Sequence, residues 1–168
     1  MTTFDKLSIR FLCRHPSYLL GFGFGSGLSP VAPGTMGTLV AIPLVMVMQL
    51  LPLPYYILVT VLAFVIGITI CQRTAQFLGK PDPAAVVWDE MVGLMVTMIA
   101  VPQGWLWWVM GFVLFRLFDI VKPWPVGWCD RYFHGGFGIM LDDVVAGLMA
   151  CLCLHGVVWL AVLSQASS

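Results

Sequence analysis

No charged residue lies between Arg14 and Arg73, none between Glu90 and Arg116, and none after Asp143 as far as Ser168. A helix that crosses a bilayer needs about 20 mainly apolar residues. The first interval has room for two such helices, and each of the others for about one. Soluble domains carry roughly 25% charged residues, whereas this 168-residue chain carries 10%. A soluble core of this size would not leave three such stretches without charge. The expected fold class is an all-α integral membrane protein forming a single membrane domain, residues 1–168. Its eight basic and eight acidic side chains cancel, and with no basic excess there is no footprint for nucleic acid.

Residues 4–14 read as a basic amphipathic helix. Lys6, Arg10 and Arg14 recur every four positions, with Phe4, Leu7, Phe11 and Leu12 on the other side, a pattern suited equally to an interfacial position on anionic lipid and to packing on the protein's own polar face. A Gly/Pro-rich segment follows at 21–37. Its helix propensity is poor, and irregular backbone at membrane depth survives only when protein or a wet cavity covers it. Spans are expected at about 38–51, 55–71, 84–101, 105–119 and 144–163, five in all. The middle region allows one long helix or two meeting at Pro102-Gln103-Gly104. Lys and Arg collect on the cytoplasmic side, and only the two-helix choice puts every charge on one side.

Five cysteines without a C-x-x-C pair argue against a disulfide framework, and no secretory signal is visible at the N-terminus. His15, His134 and His155 do not form a metal-ligand spacing; His155, in mid-span, is expected to bond a neighbouring helix. Trp105, Trp107 and Trp108 lie beside the outer turn, where an aromatic belt belongs.

Seven of the eight carboxylates fall between Asp82 and Asp143. In the five-span arrangement they gather at the cytoplasmic helix ends. Asp89 and Glu90 lie inside the third span, Arg116 and Asp119 share a face of the fourth, and Asp142 and Asp143 open the fifth. Asp142 or Asp143 could simply cap a helix, and Arg116 with Asp119 could be a structural ion pair. Asp89-Glu90 is harder to dismiss, because adjacent acids at such depth repel unless a cation compensates. Clustered carboxylates suit a hard divalent cation such as Mg²⁺. Arg116, Lys122, Arg131 and His134 lie among them, and Arg and Lys match phosphate oxygens. Acids for metal and cations for phosphate form the constellation that phosphoryl hydrolysis needs. The Gly-rich segment could add backbone N–H groups to an anion, with Ser26, Ser29 or Thr35 hydroxyls assisting; close helix packing is its plainer use.

Gly21-Phe22-Gly23-Phe24-Gly25-Ser26-Gly27-Leu28-Ser29-Pro30 with Pro33-Gly34-Thr35-Met36-Gly37 resembles the N-terminal signature of the phosphatidylglycerophosphatase A family. So do Val87-Trp88-Asp89-Glu90, Phe115-Arg116-Leu117-Phe118-Asp119 running into Lys122-Pro123-Trp124-Pro125, Asp130-Arg131, His134-Gly135-Gly136, and Gly138 through Gly147. The resemblance covers about residues 17–160 in order, with no departure at the acidic or basic motif positions. It implies a multi-pass protein of the bacterial inner membrane, with its site on the cytoplasmic side. The implied activity is a Mg²⁺-dependent phosphatase that converts phosphatidylglycerophosphate to phosphatidylglycerol. It further implies catalytic and metal roles for Asp89, Glu90, Asp119, Asp142 and Asp143, and phosphate roles for Arg116, Lys122 and Arg131.

Other classes fit less well. The D-G-x-x-A-R pattern of CDP-alcohol phosphatidyltransferases is absent, as is the P-S-G-H block of metal-free lipid phosphatases. An ion-coupled transporter could use intramembrane acids as a relay, but here the acids cluster toward one face.

Overall fold

The computed structural model describes residue 12 and residues 14–166. Apart from Leu12 and Arg14, the amphipathic helix expected over 4–14 lies outside the described residues. Among those described, every regular element is helical. The order is α1 (Pro16–Gly21), a 3-10 segment (Gly23–Leu28), α2 (Pro33–Met48), α3 (Leu53–Leu78), α4 (Trp88–Thr97), α5 (Trp105–Val121), α6 (Val126–Tyr132) and α7 (Gly135–Ala166).

Local chemistry sets the boundaries. Pro33 and Pro54 sit in the first turns of α2 and α3, where a missing N–H costs nothing. Gly79, at φ 66°, ends α3 in the left-handed conformation that glycine adopts without penalty. On α3 the buried positions Tyr56, Thr60, Gly67, Ile70, Cys71, Thr74 and Ala75 form one stripe. The rest of its surface exposes Leu58, Leu62, Val65 and Ile66.

α3 and α7 are long and apolar enough to cross a membrane, and only 22% of the best window of each is buried. A soluble protein would bury such helices. Here their apolar faces are largely open.

α4 departs most from expectation. The span expected over 84–101 holds a helix of 10 residues, and all of them except Glu90 are buried. It rises only about 15 Å, roughly half the hydrocarbon thickness. Its carbonyl end therefore falls inside the protein and must be satisfied there. The Tyr56 hydroxyl on α3 donates to the Met95 carbonyl at 2.7 Å, and Gln49 Nε2 donates to that of Met98 at 3.4 Å. Near the other end, Trp88 Nε1 donates to the Ala63 carbonyl at 3.1 Å. α2, α3, α5 and α7 surround α4 and bury it.

The Gly-rich segment is more ordered than an irregular stretch: part of it is 3-10, and Pro33–Gly37 already belongs to α2. It packs on residues 85–87, the turn that leads into α4. The Val87 N–H donates to the Gly21 carbonyl at 3.0 Å. A Cβ at Gly37 would lie 2.6 Å from Val87 Cβ, and one at Gly23, which also has φ +51°, would lie 2.5 Å from Val87 Cγ2. Close approach is thus what these glycines supply.

α7 begins at Gly135, well before the expected 144, so Asp142 and Asp143 lie two turns inside a helix rather than opening it. Gly135 turns the chain at φ +71°, and the Gly136 N–H donates to Gln72 Oε1 of α3 at 2.6 Å, anchoring the early start. His155 Nδ1 lies 2.9 Å from the Cys151 carbonyl of its own helix, one turn back, instead of reaching a neighbouring helix.

Candidate active site: an acidic cavity closed by two cations

Three elements bring carboxylates to one end of the bundle. Asp89 and Glu90 lie in the first turn of α4, where the helix dipole favours negative charge. Asp119 is in the last turn of α5, and Asp142 and Asp143 lie on α7. Together with Lys122 they line a cavity of about 160 Å³, which also takes in Asp82. Oxygens of Asp89, Glu90 and Asp143 all lie within 4.8 Å of one another, a spacing a single cation can bridge. Asp89, Asp142 and Asp143 are buried.

Their hydrogen bonding is incomplete. Asp89 Oδ1, Glu90 Oε2, Asp142 Oδ1 and Asp143 Oδ2 are buried oxygens with no hydrogen-bond partner. Stranding one such group costs about 1–3 kcal/mol, and more when it is charged. Four around one cavity are explained by a ligand that takes their lone pairs. The donor set is hard oxygen throughout, which fits Mg²⁺ and not a soft metal.

Of the two cations, Arg116 is incompletely hydrogen-bonded and Lys122 is not. Arg116 Nη1 sits 2.6 Å from Asp119 Oδ2 and 3.8 Å from Glu90 Oε1. Neither Nη1 nor Nε makes an aligned hydrogen bond. Lys122 Nζ donates to Asp130 at 2.6 Å and to Asp142 at 2.7 Å. Burial works against the Lys122 charge, but the hydrogen bonds to Asp130 and Asp142 outweigh it and hold its pKa above that of an ordinary lysine. The residue ends α5 in the left-handed region, at φ 46° and ψ 54°, which a side-chain-bearing residue adopts at a cost of about 1–3 kcal/mol. Asp82 is pushed above the usual carboxylate range, mainly by burial, with Lys122 opposing and Asp130 and Asp119 reinforcing.

The remaining residues singled out from the sequence lie elsewhere. His134 lines a small neighbouring cavity with Asp82, Asp130 and Asp142, and Arg131 lines a separate one beside α6. Ser26 donates its hydroxyl to the Gly23 carbonyl and Ser29 to that of Val31; neither these two nor Thr35 lines the acidic cavity. The Gly-rich segment reaches the site through Gly34, where a Cβ would meet Glu90 Oε1 and lie 3.1 Å from Arg116 Nη2. Asp82 lines the cavity although no role was assigned to it from sequence; its only signal was membership of the acidic run.

Fold and site together define an all-helical protein with helices of membrane-crossing length and a buried carboxylate cavity flanked by Arg and Lys. A family model described as Phosphatidylglycerophosphatase A matches residues 19–158. The chain belongs to that family, a family of phosphatases. It is 47% identical over 152 residues to Phosphatidylglycerophosphatase A of Escherichia coli (strain K12), covering 90% of this chain and 88% of the relative. The protein of the same name from Haemophilus influenzae is 41% identical, with 85% and 89% covered. A Bacteroides thetaiotaomicron relative named Putative phosphatidylinositol-3-phosphatase is also 41% identical, with 87% and 98% covered. No solved structure gives a significant match.

Proposed function

We propose that this chain hydrolyses the terminal phosphomonoester of phosphatidylglycerophosphate, releasing phosphatidylglycerol and phosphate, with Mg²⁺ as cofactor. The observation that carries this reading is the set of unpartnered carboxylate oxygens around one small cavity with Lys122 in its wall, backed by Arg116, which pairs with the cavity residue Asp119 and leaves its Nε without a partner. A metal ion would complete the carboxylate set, and a phosphate oxygen the Arg116 Nε. The names of the relatives point the same way, since both the glycerophosphate and the inositol phosphate lipid carry a monoester on the headgroup polyol beyond the phosphodiester.

Asp89, Glu90 and Asp143 would hold Mg²⁺, with Asp142 and Asp119 alongside; bound there, the ion supplies charge neutralisation and a more acidic water. Arg116, held by Asp119 through Nη1, offers its Nε donor to a non-bridging phosphate oxygen. Lys122 supplies a point charge steered by Asp142. In purified protein, phosphate release from phosphatidylglycerophosphate is expected with Mg²⁺, to be abolished by chelation and restored by added Mg²⁺. No release in Mg²⁺ would sink the substrate assignment, and release that survives chelation would sink the cofactor.

The same reading includes five membrane crossings in a bacterial inner membrane. α2, α3, α5 and α7 each cross, and 84–101 crosses as an interrupted segment sheltered by its neighbours. Arg73, Lys80, Arg116, Lys122 and Arg131 then share the cytoplasmic face with the acidic cavity. A topology reporter fused after Ser168 is expected to signal from the periplasm. A cytoplasmic signal would rule out the odd number of crossings.

A further inference from the structure

Arg131 was expected among the phosphate ligands, yet the acidic cavity does not include it. It lies in the last turn of α6, on a second cavity of about 410 Å³ lined also by Lys122, Trp124, Gly127, Trp128 and Tyr132. Lys122 is the one residue that lines both cavities. The adjoining acid, Asp130, is neutralised by Lys122 Nζ at 2.6 Å, whereas Arg131 is exposed and makes no ion pair with any described residue. A last-turn arginine can serve a helix dipole, but that role does not account for the aromatic cavity around this one.

The rings continue beyond the cavity. Trp128 and Tyr132 lie 5.2 Å apart between centroids, Trp128 and Phe133 5.8 Å, Phe133 and Phe137 5.6 Å, and Phe137 and Phe64 6.3 Å. The row thus runs from α6 across α7 to α3, a helix whose flank is open to lipid. Trp124 and Trp128 are exposed beside the basic group, the composition of a surface at headgroup depth. One end of this path is apolar and lipid-facing, the middle holds an unpaired guanidinium, and the far wall is the lysine of the acidic cavity.

We propose that this second cavity is a phosphodiester subsite: Arg131 grips the inner phosphodiester of a membrane lipid while the terminal phosphomonoester passes Lys122 into the acidic cavity. The subsite rests on the lipid-monoester reading above and deepens it, because it makes recognition depend on two anions a polyol apart. Selectivity for such lipids over simple monoesters then comes from the Arg131 contact.

The test uses dioctanoyl phosphatidylglycerol, which has the phosphodiester and no monoester. Loss of one charge-assisted contact weakens binding by about 10-fold or more. Arg131→Gln is therefore expected to raise the Kd for this lipid in detergent by that factor, with Arg131→Lys intermediate. In turnover it should raise KM for phosphatidylglycerophosphate by a like factor, leave kcat within about twofold, and leave inhibition by orthophosphate unchanged, since that anion occupies only the acidic cavity. Equal affinity of wild type and Arg131→Gln for the dioctanoyl lipid would overturn the subsite. So would a fall in kcat at unchanged KM. The binding comparison decides the matter without turnover, so a protein that failed to hydrolyse the monoester would defeat the proposed function and leave this result readable.

Discussion

Asp89→Asn, Glu90→Gln, Asp142→Asn and Asp143→Asn should each lower turnover by at least about 100-fold, the scale on which removal of a single well-placed electrostatic group acts. Stability is expected to move the other way or not at all. Four carboxylates, each with a buried oxygen, crowd one cavity, and removing one charge relieves repulsion in the metal-free protein, a gain that the lost ion pair with Lys122 offsets at Asp142. The unfolding temperature in detergent should hold or rise. Added Mg²⁺ should stabilise the wild type through ligand linkage and the variants much less. The opposite pattern, with activity retained and about 1 kcal/mol of stability lost, is what helix-dipole partners would give. Near-normal turnover in two of the four would end the metal-site assignment.

Gly147→Leu should be strongly damaging although it lies outside the cavity. A Cβ at Gly147 would lie 2.5 Å from the Gly93 carbonyl oxygen of α4, which is backbone and cannot rotate away. On the facing helix, a Cβ at Gly93 would lie 3.1 Å from the Asp143 carbonyl. These small residues let α4 and α7 touch, as small side chains do where bilayer helices pack. Forcing them apart costs about 3 kcal/mol or more, and it separates Asp89 and Glu90 from Asp143. Both folded yield and activity should collapse. Gly156, on the same helix with nothing within 4 Å of its would-be Cβ, supplies the control: Gly156→Leu should keep both. Equal tolerance at the two positions would show that this crossing does not set the site.

Much of this was legible in the chain, for physical reasons that differ by element. α3 and α7 announce themselves because lipid contact demands long uncharged runs. α4 could not be read in the same way: a helix apolar all round carries no periodicity to mark its ends, and the tertiary bonds from Tyr56 and Gln49 that replace its next turn lie far away in sequence. The early start of α7 was hidden for a similar reason, since Gly135 and Gly136 read as breakers until Gln72 of α3 supplies the first acceptor. The acidic residues were identifiable by their burial in an apolar setting, which leaves ionisable groups few idle uses. The different placement of Lys122 and Arg131 was not, because nothing in the sequence shows that Lys122 lines the acidic cavity while Arg131 lines only the one beside α6.

The brevity of α4 has a consequence for how the protein is made. Ten residues cannot by themselves cross a bilayer, and their cover comes partly from α7, which follows α4 in the chain. Until residue 147 and its neighbours have been made, α4 lacks one of the helices that bury it. Its burial is therefore completed by a part of the chain synthesised well after it. Truncation before Asp142 would take away two carboxylates and also leave α4 without one of its walls.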